Sequence, residues 1–336
     1  MLAFDRRVRP NSSVSESSGW RVRAVIHEYL LDTCIWLALN DQDIERLSAH
    51  PTPFRLTAGC AALFELISGI PSLGSRTVSR EFQRRSAALR RLLKAAPGGC
   101  LDLRTPHQIR SRAFGVPVRP AGVDFLILTQ AAATAETPEE FYMLVSRARC
   151  LSEQLPTPAW LHMQKQRVAE GFRTAVAEGA LLMRRVHEEL LAASGIAGKD
   201  KKRLRRGFMP YLYSVGDLRR YALLAVASVV GMPWQDCPAG TKLYDWAIAE
   251  YERLQNTYDH SIDVYLDVYA RYVTRASWQG GDVGLNDSFD LDQFVYMRPS
   301  DNSQVFVTKD RRLRDLASPV LPGRVVDLAT FRKAIT

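Results

Sequence analysis

The stretch AVIHEYLLDTCIWLAL, residues 24–39, decides the fold. Its first half is a short apolar run, interrupted only by His27 and Glu28, that ends in Leu30-Leu31-Asp32. A run of this length without strict alternation reads as a parallel strand buried on both faces. From Cys34 the chain turns helical, so Asp32 stands where a buried strand passes into a helix. Open α/β sheets gather their ligand sites at such carboxyl ends.

The same alternation continues on either side. Residues 54–57 form a second short strand, and 58–70 (AGCAALFELISGI) a helix closed by Gly69 and Pro71. Residues 78–96 make a longer helix with Phe82, Leu89, Leu92 and Leu93 apolar and arginines between, ended by Pro97-Gly98-Gly99. Residues 100–103 are a third strand, and Thr105-Pro106 opens a helix with Thr at the cap and Pro at the first position. At the far end come a helix over 286–297, a strand over 304–308 (QVFVT), a helix over 311–317, a strand over 324–327 and a helix over 329–335. Strands alternating with helices predict a parallel α/β sheet with right-handed crossovers.

The middle, 114–280, reads as mainly helical, over 137–154, 159–193, 218–230 and 242–277. The first of these opens on Thr137-x-x-Glu140, which resembles a capping box. Residues 124–128 could instead form a strand. No internal repeat of fixed period is present. Residues 1–20 are polar and Ser-rich and are expected to be a flexible tail.

Composition narrows the function classes. Of 336 residues, 46% are hydrophobic and 24% charged, as in ordinary globular proteins. The longest apolar run, YALLAVASVVGM at 221–232, is far short of the roughly 20 residues a membrane span needs. No secretory leader pattern opens the chain, so a soluble, cytoplasmic protein without a membrane partner is expected. Cys34, Cys60, Cys100, Cys150 and Cys237 are scattered singly and read as reduced thiols. The formal net charge is +9. Ten basic residues stand against two acids over 76–112, and six against one over 199–206. These clusters could neutralise phosphates, with Arg84, Arg85, Arg91, Lys201, Lys202, Arg203, Arg205 and Arg206 as the candidate contacts. Tyr211, Tyr213, Trp234, Tyr244 and Trp246 lie near the second cluster and could stack on bases, although aromatics at helical spacing are more often core.

Four segments carry acids beside the strand ends. Asp32 follows the first buried strand and Asp310 follows Val305-Phe306-Val307-Thr308. Glu65 sits at the edge of an apolar helix face, among Leu63, Phe64, Leu66 and Ile67. Asp287 and Asp290, three residues apart, share one helix face, while Asp292 points elsewhere and is expected at the surface. Singly, each has a structural explanation as a helix cap or a solvated position. As a set they form a candidate cluster of carboxylates.

The segments LLDTCIW (30–36), AALFELISGI (61–70), NDSFDLDQFVYM (286–297) and VFVTKDRRL (305–313), in that order, resemble the successive signature segments of the PIN-domain nucleases. GRVVDLATFRKAI (323–335) is similar to that family's closing strand and helix. The resemblance implies a three-layer α/β/α domain with a central parallel sheet, made of 21–113 and 281–336 and interrupted by a mainly helical insertion, 114–280. It implies phosphodiester hydrolysis, of RNA before DNA, by one or two Mg²⁺ or Mn²⁺ ions. Asp32 matches the first acid, Glu65 the second and Asp310 the last, while the third falls on Asp287 or Asp290. Thr33 and Thr308 would hydrogen-bond the ligands. A toxin or defence role, an inhibitory protein partner and an oligomer are further expectations of the likeness. The long insertion and the stretch 298–303 depart from the family pattern.

Two other classes compete. A non-catalytic nucleic-acid-binding or scaffold protein on a PIN-like fold would tolerate neutral residues at the acid positions, and here every expected acid type is present. A phosphohydrolase of small phosphate esters lacks the support of a GxxxxGK[ST] loop.

Overall fold

The computed structural model describes residues 27–336 except 51–53, 72, 96–100, 119–121, 152–154, 194, 196–197, 200–216, 233–235, 280–282 and 285. Five parallel strands form one sheet: β1 (Glu28–Leu31), β2 (Arg55–Gly59), β3 (Leu101–Asp102), β4 (Gln304–Val307) and β5 (Val325–Val326), in the order β3-β2-β1-β4-β5. All four residues of β1 are buried, as a central strand covered on both faces requires. Leu30 lies opposite Thr57 on one side and Phe306 on the other. The chain adds β2 and β3 to one edge of β1, then returns to build β4 and β5 on the other. The order therefore reverses between β1 and β4, and the crevice outside their carboxyl ends is the topological switch point.

The polar interruption of β1 is satisfied rather than exposed. Glu28 accepts hydrogen bonds from Thr57 Oγ1 at 2.8 Å and Gln304 Nε2 at 3.3 Å, and pairs with Arg298 at 3.2 Å. A buried carboxylate without such donors would be costly.

Helices α1 (Thr33–Trp36) and α2 (Asp41–Ala49) link β1 to β2, and α3 (Cys60–Ser68) and α4 (Val78–Ala95) link β2 to β3. Helix α5 (Pro106–Ala113) follows, opened by a reciprocal capping box between Thr105 and Gln108. The middle of the chain contributes α6 (Gly122–Thr134), α7 (Pro138–Leu151), α8 (Pro158–Ala193), α9 (Asp217–Val229), α10 (Leu243–Gln255) and α11 (Asp263–Gln279). Helix α12 (Asp287–Asp292) runs into a 3₁₀ turn (Gln293–Tyr296) before β4, α13 (Arg311–Ala317) joins β4 to β5, and α14 (Leu328–Ala334) closes the chain.

Two sequence expectations change and one helix is added. Residues 124–128 belong to helix α6, where buried Phe125, Leu128 and Ala132 recur at helical, not alternating, spacing. The single helix over 242–277 is two, broken at 256–262, where His260 takes φ 61°, the left-handed region. Helix α2 goes unread in the sequence, although Asn40 and Asp43 form a capping box at its start.

Helices α6 and α8 pack directly on α3, and α6 also on α4. One hydrophobic cluster runs from Leu30 and Phe306 in the sheet through Phe141 and Leu161 to Leu223 and Tyr265. The middle helices thus share the sheet's core. Among the described residues, no helix is long and apolar enough to cross a membrane.

Candidate metal centre

Three carboxylates converge at the switch point. Asp32, Glu65 and Asp290 each offer one oxygen, and these atoms all lie within 4.8 Å of one another. They come from the end of β1, the second turn of α3 and the first turn of α12.

Each is held by its element. The Asp32 backbone continues the sheet, its N–H donating to Val307 O at 3.0 Å. Its side chain accepts from Thr308 Oγ1 at 2.6 Å and Cys34 Sγ at 3.0 Å. Glu65 accepts from Thr33 Oγ1 at 2.6 Å. Helix α3 is buried on nearly all sides, since α4, α6 and α8 enclose it, so its carboxylate points into protein instead of water. Close packing sets the position of α3. The Tyr296 ring occupies the space a Cβ on Gly59 would need, and the Tyr296 hydroxyl donates to Arg104 O at 2.7 Å. At the other end of α3, Arg85 donates to Leu66 O at 3.3 Å, a carbonyl the helix leaves free, and at 2.9 Å to Glu65 O, which also accepts from Gly69 N.

The electrostatics are those of an under-neutralised cluster. Burial pushes Glu65 up to about 7, against the pull of the Thr33 hydroxyl and the Lys165 ammonium. Burial, followed by the charges of Asp32 and Glu65, pushes Asp290 up to about 9. Asp32 is raised by burial too, with Asp310 adding to the rise. Lys165 Nζ stands 3.8 Å from Glu65 and 5.5 Å from the Phe289 ring centroid. The charges of Lys165 and Arg85, the two cations that act on Glu65, do not balance three carboxylates to which Asp310 adds a further negative charge. A hard cation with oxygen ligands at about 2.0–2.6 Å fits this donor set in charge and in span.

The remaining sequence candidates fall around this core. Asp310 is exposed and caps α13, accepting from Leu313 N at 3.2 Å, while its own N–H donates to Thr308 Oγ1 at 3.0 Å. Its charge reaches Asp32 and Asp290, but it is outside the three that converge. Asp287 also lies outside them. Its carboxylate accepts from Tyr272 and from Gly284 N at 2.8 Å, and pairs with Arg312 at 3.3 Å.

Asp292 is not at the surface: it is buried and paired with Arg110 of α5, which also donates to Tyr265 Oη at 3.2 Å. Its partner lies far away in sequence, so no local pattern announced it.

The basic candidates divide. Arg84 is exposed beside Glu81 at 3.5 Å, Arg91 pairs with Asp41 at 3.0 Å, and Arg85 turns inward onto α3. Lys201, Lys202, Arg203, Arg205 and Arg206 lie outside the described residues, as do Tyr211, Tyr213 and Trp234. Cys34, Cys60 and Cys237 are free thiols.

Two site residues escaped sequence reasoning. Lys165 comes from α8, and nothing in that helix marks one of its several cations as buried. Cys34 reads in the sequence only as a reduced thiol, and only its spacing two residues after Asp32 could have suggested contact with the carboxylate.

Comparison with protein-family models, curated proteins and solved structures gives no match for this chain.

Proposed function

We propose that this chain is a divalent-metal-dependent nuclease of the PIN type, acting on RNA in preference to DNA. The observation that carries the reading is the convergence of Asp32, Glu65 and Asp290 at the switch point of a parallel sheet, with too little positive charge around them. The order and types of acids in the PIN-like segments support it.

Asp32, Glu65 and Asp290 would hold one ion, and the charge of exposed Asp310 acts on Asp32 and Asp290 from outside that set. A bound Mg²⁺ or Mn²⁺ supplies the charge that lowers the pKa of water and stabilises the departing oxygen of a phosphodiester. The chain's own groups orient and restrain. Thr308 and Cys34 fix the rotamer of Asp32, and Thr33 fixes that of Glu65. Lys165 holds a positive charge against Glu65 and Asp290. Arg84 and the other exposed basic residues of α4, Arg80 and Arg90, would contact the substrate backbone.

Cleavage of labelled single-stranded RNA and DNA with Mg²⁺, Mn²⁺ or EDTA, for the wild type and for Asp32→Asn and Asp310→Asn, tests the reading. Metal-dependent cutting that both substitutions abolish is expected. Cutting that survives EDTA, or that survives Asp32→Asn, rules the assignment out.

A further inference from the structure

A cavity of about 730 Å³ is lined by Phe64, Gln164 and Phe289, each next in sequence to an acid of the cluster or to Lys165. Helix α3 gives Glu65 to the cluster and Phe64 to the cavity, α8 gives Lys165 and Gln164, and α12 gives Asp290 and Phe289. The Phe64 and Phe289 rings stack at 5.1 Å with an interplanar angle of 12°. Phe125 and Trp160 add two further aromatic surfaces. Trp160 and Val168 line the cavity and are 45% and 41% exposed, so apolar area at this site is left in water.

Polar side chains share the lining with these rings, Arg149 and Gln164 among them. His107, Arg110 and Asp292 line both this cavity and an adjoining one of about 410 Å³. Ser288 Oγ, on the adjoining cavity, is buried with no partner among the described residues, and neither has Arg110 Nε. Unpaired buried donors and acceptors are costly unless a ligand or water meets them. Flat aromatic faces with hydrogen-bonding groups beside them suit a heteroaromatic ring whose edge carries donors and acceptors.

We infer that this cavity takes one unpaired nucleobase of a single-stranded substrate, stacking it on the aromatic wall beside the acid cluster. The inference rests on the nuclease reading for the nature of the ligand and names the substrate class of that site. A base inside a duplex could not enter without being flipped out of its stack. The substrate is therefore single-stranded, or unpaired at the position bound, and its adjoining phosphate lies toward Glu65 and Asp290.

The test is binding in EDTA, where no metal-dependent cleavage contributes. Fluorescence anisotropy is read with a labelled single-stranded oligonucleotide, its matched duplex and an all-abasic strand of the same length. Variants are Trp160→Ala, which removes a partly exposed stacking face, and Val168→Trp, which narrows the mouth. The base-bearing single strand is expected to bind at least about tenfold more tightly than the other two, and each substitution to remove most of that advantage. Thermal stability and Mn²⁺ affinity stay unchanged in both variants. Equal binding of the abasic strand or the duplex overturns the inference, as does base-dependent binding that neither substitution weakens. The two readings fail separately. Base-dependent binding without cleavage under any metal removes the nuclease and keeps the pocket. Metal-dependent cleavage indifferent to both substitutions removes the pocket and keeps the nuclease.

Discussion

The Thr308 hydroxyl at the end of β4 donates a 2.6 Å hydrogen bond to the Asp32 carboxylate at the end of β1 and accepts one from the Asp310 N–H at 3.0 Å. One side chain thus ties two acids on adjacent elements across the switch point. Thr308→Val keeps the shape and removes both bonds. A loss of about 1–2 kcal/mol of stability is expected in denaturant unfolding, with Mn²⁺ binding about ten- to a hundredfold weaker. Thr308→Ser should restore most of both. Wild-type affinity in Thr308→Val would show that the hydroxyl does not position Asp32.

Stability should fall as pH rises in the absence of metal. Glu65 moves from an ordinary 4.5 up to about 7, and Asp290 from 3.8 up to about 9, both chiefly through burial. Between the unfolded and folded values the native state binds more protons, so its advantage is full below the unfolded value and is lost as pH passes the folded one. The melting temperature in EDTA is expected to decline from about pH 5 to about pH 9, and saturating Mn²⁺ to flatten that decline. Asp290→Asn should flatten it as well. A melting temperature that climbs over this range would contradict the electrostatic account.

Lys165 partly neutralises the cluster from 3.8 Å. Lys165→Met, of similar volume, is expected to bind Mn²⁺ more tightly, because the ion no longer meets a resident cation. Without metal the variant should lose more stability above pH 7 than the wild type does, since the Glu65 carboxylate is then uncompensated. Weaker Mn²⁺ binding would mean that Lys165 supports the site rather than competes within it.

Arg85 and Arg84 are neighbours with opposite assignments. Arg85→Met removes two donors from the carbonyls of α3 and should cost about 2 kcal/mol in urea unfolding. Arg84→Ala should leave stability within about 0.5 kcal/mol. If α4 faces the substrate backbone, it should also lower the salt dependence of RNA binding by about one phosphate contact. The reverse pattern, with Arg85 governing binding and Arg84 stability, would invert the assignment.

What the sequence made legible follows from physical range. β1 and β4 are central strands, so burial on both faces leaves short apolar runs, and Asp32 was visible because it ends one. Glu65 stood out because a carboxylate interrupts an otherwise apolar helix. Helical spacing places Asp287 and Asp290 on one face and cannot choose between them. That choice depends on Tyr272, Gly284 and Arg312, which bind Asp287 and hold it apart from the other carboxylates. Asp292 and Lys165 were misread or missed because their partners, Arg110 and Glu65, are distant in the chain. Spacing within one helix carries no record of such contacts. The break between α10 and α11 was in principle readable, since Asn256-Thr257-Tyr258-Asp259-His260 is rich in turn-forming residues.

Mn²⁺ titration calorimetry on the wild type, Asp290→Asn and Asp287→Asn tests the metal centre most directly. The account predicts saturable binding by the wild type, a loss of at least about tenfold in affinity for Asp290→Asn, and near-wild-type affinity for Asp287→Asn. Mn²⁺ binding that Asp290→Asn leaves intact and Asp287→Asn abolishes would contradict the convergence of Asp32, Glu65 and Asp290 as the ligand set.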